Sequence, residues 1–247
     1  YLRPSRVDAA KHAAAILKLL ARRLRQAWPA VRIVFRGDSG FCRQRIINWC
    51  ERSGVHYLIG LARNARLEAM VEYAQLALQD EYERSSAKQR LIDEFSYAAK
   101  SWPRERRVIT RLEWGQQGHN PRFVVTNLAG EPGALYDDVY CQRGEAENRI
   151  KEAQIGLFAT RTSCHVFASN QLRVLLAALA YVLIERLRTL GLRGTELAHA
   201  QIDTLRIKLL KLAAVVTRNT RRIRLYFASN WPSAPIFAQA MRMLRSP

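Results

Sequence analysis

Between Asp8 and Arg84 the chain alternates helical and strand patterns, and this alternation limits the fold more than any other feature. Asp8 can cap a helix over Ala9 to Gln26, which is built of strong helix formers in amphipathic order and ended by Trp28-Pro29. Val31 to Arg36 is a short apolar strand closing in Gly37-Asp38-Ser39-Gly40. Phe41 to Arg52 reads as a second helix, Val55 to Ala62 as a buried strand and Arg66 to Arg84 as a third helix. That order predicts an α/β sheet with a parallel core. The pattern then changes. Leu91 to Ala98, Arg106 to Trp114 and Arg122 to Leu128 are strands with no helix between them, which predicts antiparallel pairing. They read as a β-rich insertion, followed by a linker over Gly130 to Asp138. From Tyr140 onward the chain reads as helical. Asn170 to Leu190 is apolar enough to be expected inside, and Gly194 to Val216 is expected as a further helix.

Composition narrows the function. Hydrophobic residues make up 49% of 247, which excludes a disordered basic tail. The net charge of +19 points to a polyanion, and nucleic acid is the commonest. Cys42, Cys50, Cys141 and Cys164 form no CxxC pair, so free thiols in a reducing cytoplasm are expected rather than a structural zinc site. The most apolar run, Val174 to Ile184, falls short of the roughly 20 residues that span a bilayer, so no membrane partner is expected. The first residue is Tyr1, and YLRPSRVD reads like the end of a strand already under way; a fragment lacking its N-terminal part is expected.

Two places carry candidate chemistry. Tyr140, Arg143, Glu147 and Lys151 are spaced three, four and four apart, one stripe on one face of a helix. A surface salt-bridge ladder has the same spacing as a phosphate and metal site. Asp38 stands where an α/β strand meets its loop, the end at which such sheets gather ligand-binding groups. An Asp in a glycine-rich turn also caps the helix that follows it. The tail adds a third signal. After Asp203 there is no acidic residue, while Arg218, Arg221, Arg222 and Arg224 lie among Leu225, Tyr226, Phe227 and Trp231. The arginines suit phosphate contact. The aromatics can stack on bases or pack beneath a basic face.

The segments RIVFRGDSGFCR, GLARNARL, ERRVITRLEW, NPRFVVTNL, YCQRGEAENRIKEAQ and NQLRVLLAALAYVLIERLRTLGL, in that order, resemble the DDE-type bacterial insertion-sequence transposases. The likeness is to the subgroup with a β-strand insertion and a Tyr-x2-Arg-x3-Glu signature, and it covers nearly the whole chain. It implies a ribonuclease H-like core whose N-terminal strands are missing here, with a β-strand insertion and a helical C-terminal region. In those terms residues 1–87 are a partial core, 88–138 the insertion, 139–165 the core helix with the catalytic Glu and 166–247 a helical basic region. It implies two Mg²⁺ ions, with Mn²⁺ as a substitute, and double-stranded DNA, both element ends and target, held by a homodimer. Asp38 matches the second Asp of the triad and Glu147 the Glu; both are catalytic and metal-ligating by this likeness. Tyr140 and Arg143 match DNA-contacting signature residues.

Two positions depart from the pattern. Related enzymes carry a Lys seven residues after the Glu, where this chain has Gln154; Lys151 lies on the same stripe and is the expected cation. No residue here matches the first Asp, and Asp8 suits a helix cap better. The chain alone is therefore expected to bind DNA without cutting it.

Overall fold

The computed structural model describes residues 2–4, 6–8 and 10–245, apart from the Arg143 side chain. It is a mixed α/β structure of two compact units: residues 4–145, and residues 146–247 with the first three.

In the first unit, α1 (Ala13–Ala27), β1 (Val34–Gly37), α2 (Gln44–Arg52), β2 (His56–Leu61) and α3 (Ala65–Ser85) follow in the expected alternation. Helix α1 starts later than the sequence suggests. Asp8 accepts from the Ala10 amide at 2.9 Å, and His12, in a left-handed conformation at φ 92°, delays the first regular turn. Strands β1 and β2 are parallel, with Val34 opposite His56 and Gly37 opposite Ile59.

Strands β3 (Gln89–Tyr97), β4 (Arg106–Gly115), β5 (Gly118–His119) and β6 (Arg122–Thr126) are antiparallel. They continue the sheet begun by β1 and β2. Strand β6 pairs with β2, Leu58 opposite Thr126 and Leu61 opposite Phe123, so one mixed sheet runs β1-β2-β6-β4-β3 with β5 on β4. The edge of β2 away from β1 carries unpaired amides and carbonyls that β6 satisfies.

The two-residue period of the strands separates two cores. Phe35, Tyr57, Ile59, Val108, Phe123 and Val125 face one side and pack with Ile46, Ile47 and Cys50 of α2 and Leu67 and Val71 of α3. Val34, Leu58, Ile109 and Val124 face the other and pack with Leu135 and Tyr136. The expected linker over 130–138 is therefore structural. Glu131 accepts from the Gly133 amide at 2.8 Å and also from that of Ala134, Pro132 opens α4 (Pro132–Ala134), and a wide π-type helical stretch, Leu135–Tyr140, continues it. Arg36 of β1 donates to the Val139 carbonyl at 2.7 Å and fixes that stretch over the sheet.

The second unit holds most of α5 (Arg143–Gly156), α6 (Phe167–Arg186) with a π-type turn Leu187–Gly191, α7 (Ile202–Leu205) with another at Arg206–Leu210, and α8 (Ala234–Arg245). Its core is Ile184, Leu192, Leu197, Ile202, Leu205, Leu209 and Ala240. Two expectations fail here. The long helix over 194–216 is absent: after Leu210 the chain forms a hairpin, β7 (Ala214–Arg218) and β8 (Ile223–Phe227), because Val215, Val216, Thr217, Ile223, Tyr226 and Phe227 are β-branched or aromatic and favour strand. And α6 is not inside. Ile184 packs in the core, but Leu172, Leu175, Leu176, Leu179, Val182 and Leu183 are exposed. The helical run Phe167–Gly191, 25 residues, is long and apolar enough to cross a membrane by length and composition alone, which the shorter apolar run in the sequence did not suggest.

Candidate functional site

Asp38 follows β1 directly, on the loop beyond the strand's carboxyl end. Its backbone is extended, and its Oδ1 accepts from the Gly40 amide at 2.9 Å, capping a short 3₁₀ turn over Ser39–Phe41 that leads into α2. The capping role read from the glycine-rich turn is present. It keeps the carboxylate at the strand end and exposed to solvent.

Gly60 of β2 sits beside this turn. A methyl group at Gly60 would lie 2.8 Å from the Tyr140 hydroxyl, 3.0 Å from the Ser39 amide nitrogen and 3.3 Å from the Asp38 carbonyl carbon. The Tyr140 hydroxyl and the Asp38 backbone are thus separated by no more than the sum of two short contacts. Residues about a hundred positions apart in sequence meet because the face bearing Val34, Arg36 and Leu58 is the one that the 135–140 stretch covers. Tyr140 is half-buried, its ring 5.5 Å from that of Tyr136, which is buried on the sheet. Any side chain at residue 60 would have to push back the Tyr140 hydroxyl and the Ser39 backbone.

The expected stripe is divided. Tyr140 ends the π-type stretch, Cys141 and Gln142 form a turn, and α5 begins at Arg143. Bonding changes there from Cys141 N–H to the Tyr136 carbonyl, five residues back, to Gly144 N–H to the Cys141 carbonyl, three back. Glu147 and Lys151 share α5 one turn apart, and both are exposed. The side chain of Arg143 lies outside the described residues. Gln154, where the signature has a Lys, is exposed on the same helix.

Further along α5, Glu152 is mostly buried and was not singled out in the sequence. It accepts from Arg188 Nη1 at 3.2 Å and from the Ile202 amide at 2.8 Å. Burial alone would raise its carboxyl; the Arg188 and Ile202 hydrogen bonds and the charges of Arg188 and Arg149 outweigh burial and hold it below the usual range. The signal available in sequence was Glu152 falling on the opposite side of α5 from the Glu147 stripe.

Arg218, Arg221, Arg222 and Arg224 are all exposed on the hairpin or its turn. The aromatics divide. Phe227, Trp231 and Phe237 form a packed cluster with ring centroids 5.3 to 5.9 Å apart, while Tyr226 is 51% exposed. Among the described residues, no three His, Cys, Asp or Glu side chains gather as a metal site.

A family model described as transposase DDE domain group 1 matches residues 1–247, the whole chain. The chain belongs to this family of DDE transposases. Membership makes DNA its class of substrate and transposition its class of chemistry. A search of curated proteins finds no match.

Proposed function

We propose that this DDE transposase domain hydrolyses phosphodiester bonds at the ends of an insertion sequence and joins the freed 3′-hydroxyl to target DNA, with Asp38 and Glu147 as two of its acidic metal ligands. The reading is carried by one observation: Asp38 stands at the carboxyl end of β1 with the Tyr140 hydroxyl brought to the same turn by Gly60. On this reading the parallel strands and α5 belong to a ribonuclease H-like core, and residues 88–138 are an insertion that extends its sheet.

Both proposed ligands are solvent-exposed carboxylates, the donors a hard cation such as Mg²⁺ takes while keeping room for water and phosphate. Bound Mg²⁺, two ions in the family, with Mn²⁺ able to replace them, would neutralise charge on the reacting phosphate and on the attacking and leaving oxygens. The protein groups position the DNA. The Tyr140 hydroxyl can donate to a phosphate oxygen beside Asp38, while Arg143 and Lys151 supply cations along α5. Phosphoryl transfer draws most of its acceleration from such positioning and charge neutralisation. A homodimer on paired ends, working in the cytoplasm at the nucleoid, completes the proposal.

In an active transposase that contains this domain, Asp38→Asn and Glu147→Gln should each abolish end cleavage and joining while leaving duplex binding intact, because a lost carboxylate does not weaken phosphate attraction. Parallel loss of binding and cleavage would refute a catalytic role for either residue. A second reading concerns residues 1–247 alone. They contain no match to the first Asp of the triad, and Asp8 pairs with Arg43 at 3.0 Å. This chain by itself should bind element ends without Mg²⁺-dependent nicking. Robust nicking would sink that reading.

A further inference from the structure

The β7–β8 hairpin exposes every one of its ten strand residues, an arrangement that does nothing for a core. Two-stranded ribbons are marginal by themselves. This one is anchored at its base, where Phe227, opposite Ala214, packs against Trp231 and Phe237, and the Trp231 indole donates to the Lys208 carbonyl at 3.0 Å. Its far end is a tight turn. The Asn219 side chain accepts from the amides of Arg221 at 3.0 Å and Arg222 at 2.8 Å, and the Asn219 amide donates to the Arg222 carbonyl at 3.0 Å. These bonds fix the backbone at Arg221 and Arg222, whose side chains are exposed.

The distribution of charge over the ribbon is specific. Directly opposed residues of an antiparallel pair share a face. Arg218 lies opposite Ile223, on the face with Val216 and Leu225; Arg224 lies opposite Thr217, on the face with Val215 and Tyr226. Cations thus occupy both faces near the end as well as the turn, and no acidic residue follows Asp203 to offset them. A ribbon lying flat on a polyanion needs cations on one face only. Cations on both faces fit a slot with negative walls on either side.

We infer that this hairpin enters the major groove of duplex DNA, with Arg218 and Arg224 against the phosphates of opposite walls and the Asn219–Arg222 turn at the base edges. This rests on the transposase reading above for its substrate. The dimensions agree: five residues at about 3.4 Å each reach roughly 17 Å, against a groove about 12 Å wide and 8.5 Å deep that admits a two-stranded ribbon. The exposed Val216, Ile223 and Leu225 supply apolar contact, and thymine methyl groups lie in the major groove alone.

The test measures binding of the 247-residue chain to a fluorescent mixed-sequence duplex over a range of NaCl concentrations, with circular dichroism to confirm that each variant folds. Arg218→Ala and Arg224→Ala should each lower affinity roughly five- to tenfold at 0.1 M salt and flatten the log–log salt slope by about 0.9. Methyl green, a major-groove ligand, should displace the protein, and netropsin, a minor-groove ligand, should not. A slope change for one arginine only, with displacement by netropsin, or no effect of either arginine, would overturn the groove assignment while leaving DNA binding by the domain standing. Tighter binding to single-stranded RNA of the same sequence would overturn it too. Failure of the unmodified chain to bind duplex at any salt would overturn the transposase reading along with it.

Discussion

Arg188 at the end of the α6 helical run and Glu152 on α5 form a buried ion pair, with side chains 5% and 13% exposed. Arg188 also pairs with Glu185 and donates to the Ala200 carbonyl at 2.9 Å, while Glu152 takes the Ile202 amide. One guanidinium thus ties α5, α6 and the start of α7 together. Removing Arg188 strips the mostly buried Glu152 of its nearest cation, so Arg188→Met should cost about 3–5 kcal/mol; Glu152→Gln leaves Arg188 paired with Glu185 and should cost less. Thermal denaturation should show a fall of roughly 10 °C. The double variant Arg188→Met, Glu152→Leu should recover part of that loss, since it removes the buried Glu152 charge, while Glu185 keeps Arg149 at 3.6 Å.

Acid should unfold the chain through two carboxylates. Burial would raise Glu51, but the hydrogen bonds from Arg106 and Tyr57 and the charge of Arg106 hold it below the usual range, as Arg188 does for Glu152. A folded-state value below the unfolded one contributes stability that is complete above the unfolded value, about 4.3 for Glu, and lost as pH falls through the lower folded value. Chemical denaturation from pH 7 to 3 should show a plateau above about pH 5 and a decline below about pH 4. In Glu51→Gln, Glu152→Gln the decline should be shallower, from a lower plateau.

Gly60→Ala should disturb the Asp38 turn directly, because its methyl group would press on the Ser39 backbone as well as on Tyr140. The expected cost is about 1–3 kcal/mol. On the proposed reading, end cleavage by an active transposase that contains this domain should fall further than stability alone explains. Gly144→Ala is the control. A methyl group there meets nothing within 4 Å, and the position is helical, so stability should rise by up to about 1 kcal/mol.

Thiol chemistry should separate the cysteines. Burial pushes the Cys50 thiol up to about 12, with the Glu51 charge adding to it. Burial pushes Cys42 up to about 11 against the opposing charges of Arg43 and Arg106. Cys141 is exposed in the turn between Tyr140 and α5. Peptide mapping after brief alkylation of native protein should find Cys141 modified and Cys50 unmodified until denaturant is added.

The sheet was legible because short apolar runs alternate with helical patterns: Tyr57 and Ile59 face one core while Leu58 faces the other, and a strand buried on both faces reads as an unbroken apolar run. The Asp38 turn was legible from its glycines. The contact of Tyr140 with Gly60 was not, because no local pattern encodes which distant helix covers a sheet face. The hairpin was misread because Leu209, Leu210, Ala213 and Ala214 prolong a helical composition up to the point where β-branched residues begin. Helix α6 was misread because its leucines imply burial, and burial requires a covering surface that the helix's own sequence does not specify.

That bare leucine surface sets how the chain behaves in solution. A net charge of +19 keeps copies apart at low ionic strength. At 0.15 M salt the repulsion reaches only about 8 Å, and the apolar faces of α6 can then meet. On the proposed reading, salt that weakens phosphate contact would therefore also promote self-association. Light scattering against NaCl concentration should show particle size rising, and sulfate should act at lower concentration than chloride.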